Sequence, residues 1–361
     1  MYPLGAEGEA LDALLLAEPI VTKYFKVKES FIDFGTPSFI LEGTQEVKLN
    51  FLKAYQELRQ RQLTPILRKR DGDLLLQVVR IPPRPPRKRK WNAILLAITI
   101  VTVAASGYFM TSDPLYAFLF GKETAWLGAT LYVAALLMIL AVHELGHKFT
   151  SQIHGVAASL PYFIPGPPFP YGFGTFGAVI IQEAPIPNRD HLFDIGFSGP
   201  IIGFVASLLM AVVGLSLSKA VPAYMVAKAP LLPAPLILHL LIQLAVDVPE
   251  GSIIVLHPVL LASWIGFLVT FLNLLPAGQL DGGHIVRALL GEKGHRAASI
   301  AAVIILVVTG YWPMALIVAL MMTRGHPGPL DDVSPLSPGR KILALIAFII
   351  CFVSAVPLLH F

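Results

Sequence analysis

Charged residues and cysteines are both scarce in this sequence. Asp, Glu, Lys and Arg make up 14% of the 361 residues, whereas soluble domains carry about 25%. Together with 55% hydrophobic residues and a mean hydropathy of +0.70, this excludes an ordinary soluble enzyme and predicts an integral membrane protein with a modest soluble part. Cys351 is the only cysteine, which excludes an intramolecular disulfide and a cysteine-based metal site.

The first residues lack the features of a targeting segment. Met1–Pro19 is acidic around Glu7, Glu9 and Asp12 and has no basic region before its short leucine cluster. We therefore expect neither a signal nor a transit peptide, and we predict that residues 1–20 form a tail. Insertion into a prokaryotic cell membrane is the simplest interpretation, and a trimmed organellar protein is the alternative.

Basic residues are concentrated in one segment of a chain whose net charge is +4. Five of them directly precede an apolar stretch: Arg84, Arg87, Lys88, Arg89 and Lys90. This pattern is typical of the cytoplasmic flank of a membrane span. Because no aromatic or recognition-helix pattern accompanies these charges, we expect no nucleic-acid partner. Residues 84–92 are interpreted as a basic, proline-rich linker.

Residues 21–83 are predicted to form a small α+β domain on the cytoplasmic side. Its predicted strands are Thr22–Ile32, Ser38–Leu41, Ile66–Arg70 and Leu74–Ile81. Asp71-Gly72 is a strong hairpin signal between the last two. A helix with Thr44 available as its N-cap has an apolar face made by Val47, Phe51, Tyr55 and Leu58. The domain gathers no histidines or paired carboxylates, so a folding or regulatory role is favoured.

Apolar runs predict about six transmembrane helices within a membrane-embedded domain at residues 93–361. Five are Ala93–Met110, Trp126–Phe149, Phe193–Leu217, Ile253–Leu275 and Ile342–Leu358. Ala298–Met322 forms either one helix or a hairpin of two pieces broken near Gly310. Prolines interrupt Pro230–Val246, which we interpret as an outer loop or re-entrant piece. Pro161–Asn188 is too rich in Pro and Gly to span the membrane, and Phe176–Gln182 within it is a candidate strand.

The chemistry is indicated by His143-Glu144-Leu145-Gly146-His147, which matches H-E-x-x-H at the end of an apolar run. A helix places residues four apart on one face, so His143 and His147 can offer two imidazole nitrogens to one Zn²⁺ ion, with Glu144 beside the water that such an ion binds. In a membrane span, each ionised side chain costs about 2.5 to 3.5 kcal/mol on insertion scales. A metal site would compensate for that cost.

A hydrolytic zinc ion commonly takes three protein ligands, so two histidines are insufficient. Asp281 is the candidate third ligand, because Pro276 and nearby glycines release the chain from helix just past an apolar span. An interfacial carboxylate in a turn is the alternative, since Asp-Gly is a common turn signal. His284 is expected at most to support the ligands. Four further histidines lack the spacing and are interpreted as interfacial or packing residues: His154, His191, His239 and His257.

The third predicted span carries Gly196, Gly199 and Gly203 on a spacing that permits close helix approach. We therefore expect this helix to pack closely against the helix that carries His143 and His147.

These motifs together resemble the site-2 protease family of intramembrane zinc metalloproteases, peptidase M50, and particularly the branch with the chloroplast EGY-type proteases and their prokaryotic relatives. The resemblance covers roughly residues 90–360. Its matching elements, in chain order, are His143-Glu144-x-x-His147, Gly155, Gly174-Thr175-Phe176-Gly177-Ala178, Phe193-Asp194-Ile195-Gly196, Ser198-Gly199-Pro200, Asn273-Leu274-Leu275-Pro276 and Leu280-Asp281-Gly282-Gly283.

The resemblance implies a fold and a set of site residues. The fold is an all-α polytopic core with a membrane-associated β-hairpin-like segment, beside the small N-terminal α+β domain. By similarity, His143, His147 and Asp281 hold one Zn²⁺ ion and Glu144 is the general base. Phe176–Gln182 either offers an edge strand to the substrate or serves as a structural plug over the cavity. Asn273 is the candidate for a contact with the substrate or with the surroundings of the zinc.

The sequence departs from the commonest family pattern at one place, because no Asn follows Gly199-Pro200. This argues against an oxyanion or substrate-binding role at that point. There is also no insertion of PDZ size between the third and fourth predicted spans, so regulation through such a domain is not expected.

The function implied is hydrolysis of peptide bonds within or near transmembrane segments, with water activated by zinc and Glu144. The expected partners are transmembrane protein substrates and the lipid bilayer, in a multi-pass protein of the cell membrane. Two rival functions remain: a catalytically silent zinc-binding chaperone or scaffold, and a metal transporter. A transporter predicts further polar ligands across several spans, and the sequence offers few.

Overall fold

The computed structural model describes residues 4–43, 46–82, 89–121, 124–226 and 232–357. The predicted N-cap Thr44 and residues 84–88 of the predicted linker lie outside these ranges. Helices α1 to α11 are Leu4–Tyr24, Val47–Gln60, Lys90–Thr111, Pro114–Phe120, Ala125–Ile153, Arg189–Leu217, Leu236–Ala245, Pro258–Asn273, Asp281–Val308, Trp312–Thr323 and Pro338–Ser354. Strands β1 to β8 are Val27–Asp33, Thr36–Leu41, Thr64–Arg70, Asp73–Val79, Tyr162–Pro165, Thr175–Val179, Lys219–Pro222 and Ser252–Val255.

The N-terminal domain, residues 4–82, is an antiparallel sheet with two helices packed on it. Its strand order is β1-β2-β4-β3. Asp71 and Gly72 have φ of 52° and 96°, as the predicted two-residue hairpin turn between β3 and β4 requires. In α2, the predicted apolar residues Phe51, Tyr55 and Leu58 are buried. The hairpin and the helix are therefore confirmed.

The first helix differs from the prediction. Residues 1–20 were expected to form a tail and Thr22–Ile32 a strand, but α1 covers Leu4–Tyr24 and β1 begins only at Val27. Ala13, Ala17 and Ile20 are buried in the core of the N-terminal domain. These three residues recur at helical spacing among good helix formers. Their packing against the sheet stabilises a helix in a segment whose acidic composition suggested a tail.

Three helices of the described residues are long and apolar enough to cross a membrane: α3, α5 and α6. Three other apolar helices are shorter, namely α7, α8 and α10. The predicted fourth span, Ile253–Leu275, is only partly helical, because Ser252–Val255 pairs with β7 as strand β8 and α8 begins at Pro258. The described chain is thus mostly helical, and the expected count of six spans is not established.

The predicted alternative of a hairpin at residues 298–322 is the one observed. Helix α9 ends at Val308 and α10 begins at Trp312. Gly310 lies between them with φ of 87°, a backbone conformation that favours glycine. Leu306 and Val318 pack in one apolar cluster with residues of the turn before α9. The break at Gly310 therefore folds the chain back rather than continuing one helix.

The Pro- and Gly-rich region after α5 forms a two-stranded hairpin, β5 and β6. The predicted strand Phe176–Gln182 corresponds to β6, which covers Thr175–Val179. Helix α3 contacts this region through polar side chains: Thr102 Oγ1 donates to the Gly174 carbonyl at 2.6 Å and Asn92 Nδ2 to the Leu160 carbonyl at 2.9 Å. Polar backbone groups of this region are thereby hydrogen-bonded to α3.

Residues 326–337, between α10 and α11, form what we call the connecting segment. It contacts both the N-terminal domain and the helices. Leu330 accepts a hydrogen bond from the Leu67 N–H of β3 at 2.9 Å and donates one to the Ile186 carbonyl at 2.8 Å. The Arg287 guanidinium of α9 donates two hydrogen bonds to the Asp332 carboxylate, at 2.8 and 2.6 Å. The connecting segment therefore contacts the sheet, the start of α6 and α9 together.

Candidate metal centre

Helix α5 carries three of the four predicted chemical residues. His143, Glu144 and His147 are 2%, 5% and 5% exposed. The Nε2 atoms of the two histidines lie 3.2 Å apart, as expected for side chains one helical turn apart on one face. Burial of three ionisable groups in an apolar helix requires a compensating partner.

Asp281 is the partner for both histidines. Its Oδ2 atom lies 3.3 Å from Nε2 of His143 and 3.3 Å from Nε2 of His147. These three residues are the group of possible metal ligands found among the described residues. Two imidazole nitrogens and a carboxylate oxygen are a donor set that zinc accepts in hydrolytic sites.

The spacing of the three donor atoms fits one small ion. Tetrahedral coordination with bonds of about 2.0 Å places neighbouring ligand atoms about 3.3 Å apart, and the distances here are 3.2 to 3.3 Å. The His147 Nδ1 lies 2.6 Å from the Ile195 carbonyl oxygen. An Nδ1–H that donates to this carbonyl leaves the Nε2 lone pair free for a metal.

The glycines of α6 bring that helix against the two histidines. A Cβ atom at Gly199 would lie 2.1 Å from His147 Nε2, and one at Gly203 would lie 2.7 Å from His143 Nδ1. At Gly196, an added Cβ would come within 3.0 Å of the Asp281 carbonyl oxygen. The predicted close packing of α6 against α5 is therefore confirmed, and it includes the candidate metal ligands.

The turn before α9 positions Asp281. Gly278 has φ of 56°, and its carbonyl oxygen accepts a hydrogen bond from His295 Nε2 at 2.8 Å. The Gly278 N–H donates to Ser299 Oγ at 3.1 Å. Both side chains come from the part of α9 that follows its kink at Gly291, so this part of the helix contacts the turn that leads into Asp281.

Glu144 and Asn273 lie next to the candidate ligands. The Glu144 carboxylate is 3.9 Å from His143 Nε2, and the Asn273 amide nitrogen is 3.3 Å from the same atom. Both residues line a cavity of about 1130 Å³, together with Asp281 and residues of the N-terminal domain. Glu144 is thus placed to exchange a proton with a molecule that enters this cavity.

The other histidines singled out in the sequence are not part of the group of candidate metal ligands. His154 pairs with Asp194, His191 contacts the Asn188 side chain, and His257 accepts the Val259 N–H at the start of α8. His239 is exposed and contacts Gln243. His284 lines the cavity, where its Nδ1 atom lies 2.7 Å from Nε2 of His326.

Sequence reasoning missed His295, Ser299 and His326. His295 and Ser299 lie beyond Gly291, where α9 is kinked by a non-helical residue (φ 72°, ψ −168°), so no helical spacing in the sequence connected them to Asp281. His326 stands in Gly325-His326-Pro327-Gly328, a turn-rich stretch with no ligand spacing to any other histidine. Nothing in the sequence connected it to the site.

Comparison with known proteins gives one family and several relatives. The model of Peptidase family M50 matches residues 131–317, which is more than half of the chain. This range contains all of the candidate ligands, Glu144 and Asn273.

Several relatives are plant proteins. "Probable zinc metalloprotease EGY1, chloroplastic" of Arabidopsis thaliana is 32% identical over 234 residues, covering 62% of this chain and 42% of that protein. "Probable zinc metalloprotease EGY2, chloroplastic" of the same plant is 26% identical over 204 residues, covering 54% and 35%. "Probable zinc metalloprotease EGY3, chloroplastic" of Oryza sativa subsp. indica is 25% identical over 338 residues, covering 86% and 55%. The chain thus spans between 35% and 55% of the length of these relatives.

Proposed function

The chain belongs to peptidase family M50, and we propose that it is an intramembrane zinc metalloprotease, which hydrolyses peptide bonds within or near the membrane-spanning segments of other proteins. One observation carries the proposal. Two imidazole nitrogens and a carboxylate oxygen lie within 3.3 Å of one another, beside Glu144 and on a helix apolar enough to span a membrane. The names of the plant relatives, which are probable zinc metalloproteases, support zinc as the metal.

His143, His147 and Asp281 would hold the ion. When bound, zinc supplies Lewis acidity, which makes a water molecule acidic enough to lose a proton near neutral pH. Glu144 accepts that proton on its carboxylate as the water attacks the peptide carbonyl, and then delivers it to the leaving amine. The Asn273 amide, 3.3 Å from His143 Nε2, would contact the substrate backbone beside the metal.

The substrate chain must be extended where it is cut, because a helical peptide bond is shielded by its own hydrogen bonds and side chains. Strand β6 lies against the cavity, since Ala178 and Val179 line it. We propose that an unwound substrate segment adds to β6 as a further strand, so that backbone hydrogen bonds rather than side chains give most of the recognition. Glycine or proline near the cut would lower the cost of unwinding.

We propose a multi-pass topology with the N-terminal domain in the cytoplasm, in which α3, α5 and α6 are the first three spans and the α9–α10 hairpin begins and ends on the cytoplasmic side. The N-terminal domain and the metal centre line one cavity, which supports their lying toward the same face of the membrane. Arg89 and Lys90 immediately before the apolar part of α3 support a cytoplasmic assignment for that face. The cell membrane is the simplest location, and an organellar membrane is the alternative that the names of the plant relatives suggest.

Cleavage of a panel of tagged single-span membrane proteins by the reconstituted protein tests the function. We expect the Glu144→Gln variant to keep one zinc ion per chain and to lose cleavage by a factor of about 10² to 10⁴. His239→Ala is the matched control, because His239 is exposed on α7, and it should cleave like the parent. Unchanged cleavage by Glu144→Gln would refute the general-base role. Zinc binding without cleavage of any substrate by the parent would indicate a silent chaperone or scaffold instead.

A further inference from the structure

A second pair of histidines lies in the wall of the cavity. His284 follows Asp281 by one helical turn, on the same face of α9. Its Nδ1 atom is 2.7 Å from Nε2 of His326. Both rings line the cavity that Glu144 and Asp281 also line.

The hydrogen bonds fix which nitrogen of each ring carries a proton. The Gly328 N–H donates to His326 Nδ1 at 3.0 Å, so that nitrogen is unprotonated. Burial lowers the pKa of His326 to about 2, which keeps the ring neutral with its one proton on Nε2. That N–H donates to His284 Nδ1. A neutral His284 therefore carries its proton on Nε2.

The Nε2–H of His284 is available to a ligand. Within the described part of the chain it has no hydrogen-bond partner, and it is not among the buried polar atoms that lack one. The atom therefore faces the cavity rather than the protein interior. A hydrogen-bond donor that has a fixed orientation, faces a site and has no partner in the protein can bind an acceptor atom of the substrate.

His326 is positioned by contacts that reach beyond the site. It begins the connecting segment, whose Leu330 is hydrogen-bonded to β3 on one side and to Ile186 on the other. A Cβ atom at Gly328 would lie 2.6 Å from the Arg287 guanidinium. Arg287 itself is 3% exposed and is paired with Asp332. The ring that orients His284 is thus fixed by the N-terminal domain as well as by α9.

We propose that the Nε2–H of His284 donates a hydrogen bond to the oxygen of the scissile carbonyl as negative charge develops on it, and that His326 is the positioning residue for this donor. The inference rests on the proposed function, since it assigns a further residue to the same reaction. It also assigns the N-terminal domain a part in that reaction, through the connecting segment and His326.

His295 provides the contrast. It lies against His326, with ring centroids 5.0 Å apart, but its Nε2 is bonded to the Gly278 carbonyl. The Nε2–H of His295 is therefore already donated to the turn before Asp281 and cannot bind a substrate. Loss of His295 should weaken metal binding, whereas loss of His284 should leave metal binding intact and slow the chemical step.

The test uses the reconstituted full chain, the best-cleaved tagged substrate of the panel, and zinc content measured by elemental analysis. We expect His284→Ala to lower kcat by a factor of about 10² to 10³, as for loss of one oxyanion donor, with KM within about threefold and zinc content unchanged. His326→Ala should lower kcat less, and the double variant should be no slower than His284→Ala, because the two residues act as a unit. His326→Gln, whose side-chain amide can still donate to His284, should recover part of the loss.

Three results would overturn the inference. One is a kcat within threefold of the parent for His284→Ala. Another is a parent that binds two zinc ions while His284→Ala binds one, which would make the pair a metal site. The third is fully additive losses in the double variant. Glu144→Gln is measured in the same assay, so a defect there together with an active His284→Ala would leave the proposed function standing and remove only this inference.

Discussion

Nε2 of His147 occupies the space into which a side chain at Gly199 would project, because a Cβ atom there would lie only 2.1 Å away. This contact packs α6 against a candidate metal ligand of α5 without any polar interaction between the two residues. The absence of a side chain at residue 199 is therefore a condition for the position of the imidazole.

Gly199→Ala should reduce zinc content and cleavage together. The added methyl group must displace either the imidazole or α6, and overpacking of this kind costs about 1 to 3 kcal/mol. Zinc content and thermal unfolding of the purified protein measure both effects. Gly339→Ala is the matched control, since a Cβ atom there meets nothing within 4 Å. An alanine variant at residue 199 with full zinc content would show that the helices separate at little cost.

Ser299→Ala should weaken zinc binding although Ser299 is no ligand. The Gly278 N–H loses its acceptor, and an unpaired buried donor costs about 1 to 3 kcal/mol. Because the turn at Gly278 leads to Asp281, we expect a loss of about 10- to 100-fold in zinc affinity, as for other residues that orient ligands. Competition with a chelator of known affinity provides the measurement. Ser216→Ala, an exposed serine bonded only within its own helix, should have no effect.

Asp332→Ala should destabilise the attachment of the N-terminal domain. It leaves the guanidinium groups of Arg287 and Arg189 without the carboxylate that they share. Breaking a buried pair by removal of one partner costs about 3 to 5 kcal/mol. Limited proteolysis within the connecting segment should become faster and the melting temperature should fall. Asp73→Ala removes an exposed pair with Lys28 and should leave both measurements unchanged, and equal effects from the two variants would contradict this account.

Single-cysteine labelling should place the ends of the proposed spans. In a Cys351→Ala background, Lys26→Cys in the N-terminal domain and Glu250→Cys before β8 should react with a membrane-impermeant maleimide from opposite faces of the membrane. Both positions are exposed, and three proposed spans separate them. The Cys351→Ala protein itself should remain unlabelled. Labelling of both cysteines from one face would refute the proposed topology.

Local sequence signals were sufficient for much of the site. The five-residue motif on α5, the turn that precedes Asp281 and the glycine spacing of α6 each depend on short-range geometry, which spacing reports directly. For Asp281 the sequence leaves two interpretations open, a metal ligand and a carboxylate in an ordinary Asp-Gly turn. Its 3.3 Å contacts with both histidines could be read only from the fold.

Long-range packing accounts for what the sequence did not reveal. His284 and His326 are separated by a helical hairpin, and no periodicity connects residues across such a distance. Helix α1 was not predicted because its acidic residues are typical of an exposed tail. The few apolar residues that it buries against the sheet can be recognised only from the folded structure. The start of the predicted fourth span was wrong because Ser252–Val255 is apolar enough for a helix but pairs with β7 as a strand.

The hydrogen bonds on both sides of Leu330 have a consequence for protein engineering. Removal of the residues before α3 would remove Leu67, the hydrogen-bond partner of the connecting segment. It would leave an unpaired backbone edge next to the cavity. We therefore expect a truncated protein to aggregate and to be poorly ordered around His326, even though every candidate metal ligand would still be present. Minimal versions of this protein should retain the small sheet.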